Sequence, residues 1–123
     1  MEVGEDVWKI VMRWKNFERE TLGKQLTRAA DSVSANLSEG YGRYHFKDAK
    51  NFGYYARGSL YETKTWLTKA FARNLLAAEE FNRFEDKLET IGKMLNTYIR
   101  AIGNVSEPDE PYNNLFQDGT TKT

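Results

Sequence analysis

Between residues 79 and 102 a single apolar seam recurs at alternating spacings of three and four: Phe81, Phe84, Leu88, Ile91, Leu95, Tyr98 and Ile102. Only an α-helix brings such positions to one side, and a helix with one apolar stripe is stable only when another element covers that stripe. The seam therefore predicts a rod packed among other rods. Glu79 and Glu80 in its first turn and Arg100 in its last suit the helix dipole, and Gly103 is placed to end it.

The rest of the chain supplies partners of the same kind. Over 47–73, Phe52, Ala56, Ser59, Leu60, Thr63, Leu67, Ala70 and Phe71 fall on one face at about 100° per residue. Asn74 is a natural stop, and the short link Leu75–Ala78 forces the two helices to lie antiparallel. Over 22–43 the pattern is Leu22, Leu26, Ala29, Val33, Leu37 and Gly40, with Thr21 as a candidate cap and Ala29, Ala30, Ala35 and Gly40 small enough for close helix approach. A shorter first helix, about 3–17, turns Val3, Val7, Ile10, Val11 and Trp14 inward. Four amphipathic helices with short links predict an all-α, antiparallel up-down-up-down four-helix bundle over residues 1–103. Residues 104–123, with Pro108, Pro111, Glu107, Asp109, Glu110 and Asp118, are expected to form an acidic, disordered tail.

Composition narrows the function. A chain of 123 residues suits one domain with one core. The absence of cysteine excludes disulfides, thiolate metal sites and cysteine nucleophiles. No run of residues is long and apolar enough for a membrane span, and Met1 to Asp6 lack the basic start of a signal peptide, so a cytoplasmic location without membrane association is expected. Formal net charge is zero, yet residues 22–73 carry nine Lys and Arg against four Asp and Glu, while 104–123 hold Lys122 against four acids. A basic middle and an acidic end cancel in the total and leave room for an anion-binding surface.

One stripe calls for explanation. Lys50, Tyr54, Arg57, Tyr61 and Lys64 alternate at four and three, and the assigned apolar face places them almost diametrically opposite the core. Tyrosines interleaved with cations suit a subunit interface, the leading reading. They also suit a nucleic-acid platform, where cations meet phosphates and rings stack on bases. The blander alternative is rings lying flat beneath long basic stems. Arg28 and Arg43 on the preceding helix join the candidate set. Trp8 and Met12 on the outer side of the first helix, and Tyr55 and Trp66 on the flank of the third, add more apolar area than one small core hides, which favours self-association.

Catalytic chemistry finds no foothold. His45 is the only histidine and sits in a linker beside Tyr44 and Phe46. Glu79, Glu80, Glu85, Asp86 and Glu89 read as a solvated helix face, and the Glu-x-x-His pairs of bundle di-metal sites are missing. Gly40-Tyr41-Gly42 has neither a strand before it nor Gly-Lys-Ser/Thr after it, and reads as a helix-ending turn. No enzyme, cofactor, metal or small-molecule substrate is expected. Glu39, Arg57 and Glu62 are candidates for ion pairs between helices, and Ser32, Asn36 and Ser59 for hydrogen bonds across the second and third.

Three segments carry a family resemblance. Gln25 to Val33 followed by Asn36 to Arg43, then Arg57-Gly58-Ser59-Leu60-Tyr61-Glu62, then Ile91-Gly92-Lys93-Met94-Leu95-Asn96, resemble signatures of the bacterial four-helix-bundle proteins encoded within 23S ribosomal RNA intervening sequences. Together they cover about residues 3–103. The resemblance implies an antiparallel bundle assembled into a homo-oligomeric ring, a pentamer. It also implies kinship with the accessory variability proteins of diversity-generating retroelements, basic bundles that bind nucleic acid. The chain departs from the pattern in its short first helix, in Ala77 where a serine often caps the fourth helix, and in its neutral net charge. The function expected is a non-catalytic oligomer that contacts RNA through its basic surface. The alternative is a protein scaffold that never meets nucleic acid.

Overall fold

The computed structural model describes residues 2–43 and 45–103, apart from the side chain of Phe46; the expected disordered tail, 104–123, lies outside the described residues. Helix α1 spans Glu2–Val11. The short α2, Asn16–Glu18, runs through a π-helical turn, Arg19–Gly23, directly into α3, Lys24–Tyr41. Helices α4, Phe46–Ala72, and α5, Ala78–Gly103, complete the chain. Because α2, the π-turn and α3 are continuous, there are four rods. Rods adjacent in sequence pack together, most extensively α3 on α4 and α4 on α5, and α5 closes against α1. The fold is the expected all-α, up-down-up-down bundle.

The first helix is shorter than its pattern suggested. It stops at Val11, and the amides of Arg13 and Trp14 bond back to the carbonyls of Ile10 and Val11 in a tight turn. This turn swings Trp14 into the core, 7% exposed, where its Nε1–H donates to the Leu75 carbonyl at 3.1 Å. An indole buried with its one donor satisfied pins the α1 end to the α4–α5 link. Thr21 does not cap a helix, because the rod is already helical from Asn16. Its hydroxyl donates instead to the Phe17 carbonyl at 2.7 Å. The π-turn adds a residue to one turn and brings Gly23 under α1, where a Cβ would lie 2.6 Å from Val11 Cγ1.

Along α4 the buried line is Ala49, Gly53, Ala56, Leu60, Thr63, Leu67 and Ala70. The expected face shares Ala56, Leu60, Thr63, Leu67 and Ala70 with this line, but Phe52 and Ser59 are only partly buried, and Phe71 is 39% exposed. Helix α4 packs against both α3 and α5, and close approach on both sides selects small residues. A Cβ on Gly53 would stand 3.0 Å from Ile99 Cγ1. On α5 the buried positions are Phe84, Leu88, Leu95 and Ile99. Ile99 replaces the expected Tyr98 and Ile102, which are half-buried, as a straight helix drifts off a seven-residue repeat. The polar links also differ from expectation. Ser32 and Asn36 donate to the carbonyls of Arg28 and Ser32 within α3, and the Ser59 carbonyl accepts from Thr63 within α4.

The α4–α5 link is built from two helix ends. Asn74 adopts φ 63°, the left-handed conformation that asparagine tolerates better than most residues. The amides of Asn74 and Leu75 return to the carbonyls of Phe71 and Ala70, closing a Schellman motif. At the start of α5, Glu80 Oε1 accepts from the Ala77 amide at 3.1 Å, the half of a capping box that survives without a serine. Glu80 Oε2 also meets Arg13 at 2.6 Å. The Arg13 hydrogen bond, then the Ala77 amide, hold the Glu80 carboxyl below the ordinary 4.5 against the opposing effect of burial. Its stabilising contribution is therefore complete above pH 4.5 and fades as pH falls below that towards the lower folded-state value. Arg13 is largely solvated, so Glu80→Gln is expected to cost about 1 kcal/mol or less at pH 7. Urea midpoints of the two chains should converge as pH falls below 4.5; a difference that grows on acidification would refute this role.

Candidate nucleic-acid interface

The aromatic-basic stripe of α4 is one residue out of step with the buried line, about 100° round the helix, so it lies on the flank facing α5 and not opposite the core. Tyr54, 40% exposed, is held between two cations one turn away on either side: Lys50 Nζ stands 5.9 Å and Arg57 Cζ 5.1 Å from its ring centroid. Arg57 is half-buried and donates to Asn96 Oδ1 on α5 at 2.8 Å. Lys50 extends over the last residue of α5, with Nζ 3.1 Å from where a Gly103 Cβ would be, a cation at a helix C-terminus. Among the described residues neither Lys50 nor Arg57 has a carboxylate partner. Further along, Tyr61 is 61% exposed, and Lys64 pairs loosely with Glu85 of α5 at 3.7 Å.

The structure divides the other candidates. Arg28 belongs to the opposite side of α4, where it bonds Glu62 at 2.7 Å and Gln25 at 2.9 Å; Trp66 Nε1–H donates to the same Glu62 carboxylate at 3.2 Å. Glu62 thus makes a pair between helices. Glu39 does not: it bonds Arg43 one turn on in its own helix at 2.9 Å, and Arg57 meets an amide instead of an acid. Arg43 also lies 4.7 Å over the Phe52 ring, at the end of the bundle where Tyr41 and Tyr98 approach at 5.8 Å. Burial, then the neighbouring Tyr41, pushes the Tyr98 phenol above its usual value. Lys50, Tyr54 and Arg57 therefore form one continuous surface with Tyr61 and Lys64, while Arg28 stands apart.

With this geometry in view, the comparisons with known proteins decide the family. The sequence profile of the 23S rRNA-intervening sequence proteins matches residues 1–97. The chain belongs to that family. A crystal structure from Bacteroides thetaiotaomicron, described as a protein of unknown function from the S23 ribosomal protein family, has the same fold. It superposes with a TM-score of 0.63 at 22% identity, over 79% of this chain and 97% of that one. No curated protein matches. Among the described residues of this intervening-sequence protein, no helix is long and apolar enough to cross a membrane.

A residue named above only as part of a family motif lies beside the stripe. Gly58, in the middle of α4, has no atom within 4 Å of its absent Cβ, and Tyr54, Tyr55 and Tyr61 stand exposed around it. A glycine inside a helix costs about 1 kcal/mol relative to alanine, and nothing in the single chain repays it. Gly58→Ala is expected to raise the unfolding free energy of this family member by about 0.5–1 kcal/mol when denatured at low protein concentration. A stability loss that grows with protein concentration would instead reveal a neighbouring chain seated on the glycine. The signal was available in the sequence: a glycine at an outward position flanked by tyrosines one turn away.

Proposed function

We infer that this chain is a non-catalytic homo-oligomeric bundle, a pentameric ring, whose α4 surface binds RNA. One observation carries the reading: Tyr54 is presented between Lys50 and Arg57, two cations that lack a carboxylate among the described residues, with Tyr61 open beside them. Cations at helical spacing suit phosphates, and exposed tyrosine rings beside them suit unpaired bases. The family name, which places these proteins in 23S rRNA intervening sequences, points to the same class of partner. Self-association draws its support from other faces, where Trp8 is 53%, Met12 50% and Tyr55 56% exposed.

Titration of labelled single-stranded and structured RNA at two salt concentrations tests the interface. Binding should weaken steeply with salt, and Lys50→Glu with Arg57→Glu should lower affinity about 10- to 100-fold at low salt, as phosphate contacts become repulsions. No binding to either RNA at low salt discards the reading. Light scattering tests the assembly: five chain masses are expected, and a single-chain mass at every concentration rules the ring out.

A second reading, a protein scaffold, is favoured by Phe17 and Met94, 75% and 61% exposed. Pull-down after nuclease digestion separates the two, since protein-bridged partners survive it and RNA-bridged ones do not.

A further inference from the structure

Beside the stripe, α4 and α5 part to leave a groove of about 490 Å³, within the roughly 300–1,000 Å³ typical of small-molecule sites. Leu60, Leu88 and Gly92 form its apolar floor, and the exposed Tyr61 ring stands at its rim. Packing within the chain does not call for the glycine. A Cβ at Gly92 would meet only Leu60 Cδ2, at an ordinary 3.5 Å, and alanine is the better helix former. What the absent methyl gains is depth in the groove. Its two ends differ in hydrogen-bonding character. At one end Asn96 Oδ1 accepts from Arg57 Nη1 at 2.8 Å, which leaves Nδ2 as the amide's donor for a ligand; among the described residues Nδ2 has no acceptor. Towards the other end stands Glu89, held only by a solvated contact with Lys93 at 3.9 Å, a pair worth little. Lys64 does not compete for it, because Lys64 pairs with Glu85 at 3.7 Å. Glu89 and Asn96 share a face of α5 two turns apart, which a rise of about 1.5 Å per residue makes about 10 Å.

A flat ring with an acceptor on one edge and N–H donors on the other spans that distance: about 4.5 Å between its polar substituents, plus a hydrogen bond of about 2.9 Å on either side. Among the nucleobases guanine has this polarity, with O6 accepting and N1–H and the 2-amino group donating. Adenine reverses it, setting an amino group against the Asn96 donors and a bare ring nitrogen against the Glu89 carboxylate. Uracil has a single donor flanked by a second acceptor. We propose that this groove takes one unpaired guanine from a strand bound along the stripe. The ring lies against Tyr61 over Gly92, O6 accepts from Asn96 Nδ2, and N1–H with the 2-amino group donates to Glu89. Lys93, released from Glu89, is left for the adjoining phosphate. The assignment rests on the reading of the α4 surface as an RNA site, and gives it a base preference that cations and exposed rings alone do not supply.

Two measurements on the full chain test the groove and the RNA surface separately. In amide NMR spectra, excess guanosine 5′-monophosphate should shift the Gly92 backbone amide and the Asn96 side-chain amide, while adenosine 5′-monophosphate leaves both in place. Equal shifts from the two nucleotides, or none from either, would overturn the guanine site. Oligouridines with one central guanine should bind about ten-fold more tightly at low salt than those with a central adenine, and a central inosine, which lacks the 2-amino group, should fall between them. Glu89→Gln and Gly92→Ala should each remove most of that preference. The Gly92 variant should keep a urea midpoint at or above the parent's, which sets a loss of binding apart from a loss of fold. Guanine and adenine oligomers bound alike, and both lost when Lys50→Glu is combined with Arg57→Glu, would overturn the groove and leave the RNA surface standing. Guanosine monophosphate seated at Gly92, with no oligomer of any sequence bound, would uphold the groove and defeat the RNA reading.

Discussion

Leu26→Asp is expected to abolish folding. Leu26 on α3 is fully buried, in the same hydrophobic cluster as Val7, Val33, Leu67 and Leu95. A carboxylate there has no cation to pair with and no route to water. An unpaired buried charge costs several kcal/mol even after it takes up a proton, against a total stability of about 5–15 kcal/mol for a small domain. Far-ultraviolet circular dichroism should show loss of the cooperative helical transition. Leu26→Ala, which keeps the site apolar, should leave a folded bundle weakened by about 2–5 kcal/mol. If the aspartate variant melts cooperatively within a few degrees of the parent, the four-rod core described here is wrong.

Trp14→Ala is expected to cost about 3–5 kcal/mol, the range for removing a large buried aromatic. Two losses combine. The core loses the indole packed beside Val11 and Leu22, and the Leu75 carbonyl loses its donor at the α4–α5 link. Trp14→Phe separates them: the ring is largely retained and only the hydrogen bond disappears, so the cost should fall to about 1–2 kcal/mol. Urea denaturation of the three chains measures both steps. Equal destabilisation by alanine and phenylalanine would mean that the hydrogen bond, not the packing, holds α1 to the far end of the bundle.

Large apolar residues attract assignment to a core, so Phe52 and Phe71 stood in the expected face of α4 while the small Ala49 and Gly53 did not. Ala56, Leu60, Thr63, Leu67 and Ala70 are common to both faces, and at about 100° per residue the centres of the two nearly coincide. Lys50, Tyr54 and Arg57 stand about 110–125° from either, on a flank and not on the far side, and there they lean on α5. That lean is what holds Tyr54 between two cations and lets Arg57 reach Asn96. The ion-pair candidates also divided. Glu62 faces Arg28 across the α3–α4 seam, whereas Glu39, near the end of α3, finds Arg43 one turn away.

By itself the amino-acid sequence determined the number of rods, their antiparallel order, the stop at Asn74 and the family, because each follows from local periodicity, from helix-end chemistry or from short ordered motifs. What only the tertiary structure decided was which edge of each rod is inside and which polar groups meet. Those outcomes depend on how closely two helices approach, and closeness is set jointly by residues far apart in the chain: Gly53 by Ile99, Gly23 by Val11, Trp14 by Leu75. Periodicity records that a helix has a buried side, but the small residues that permit contact leave only a faint mark on it.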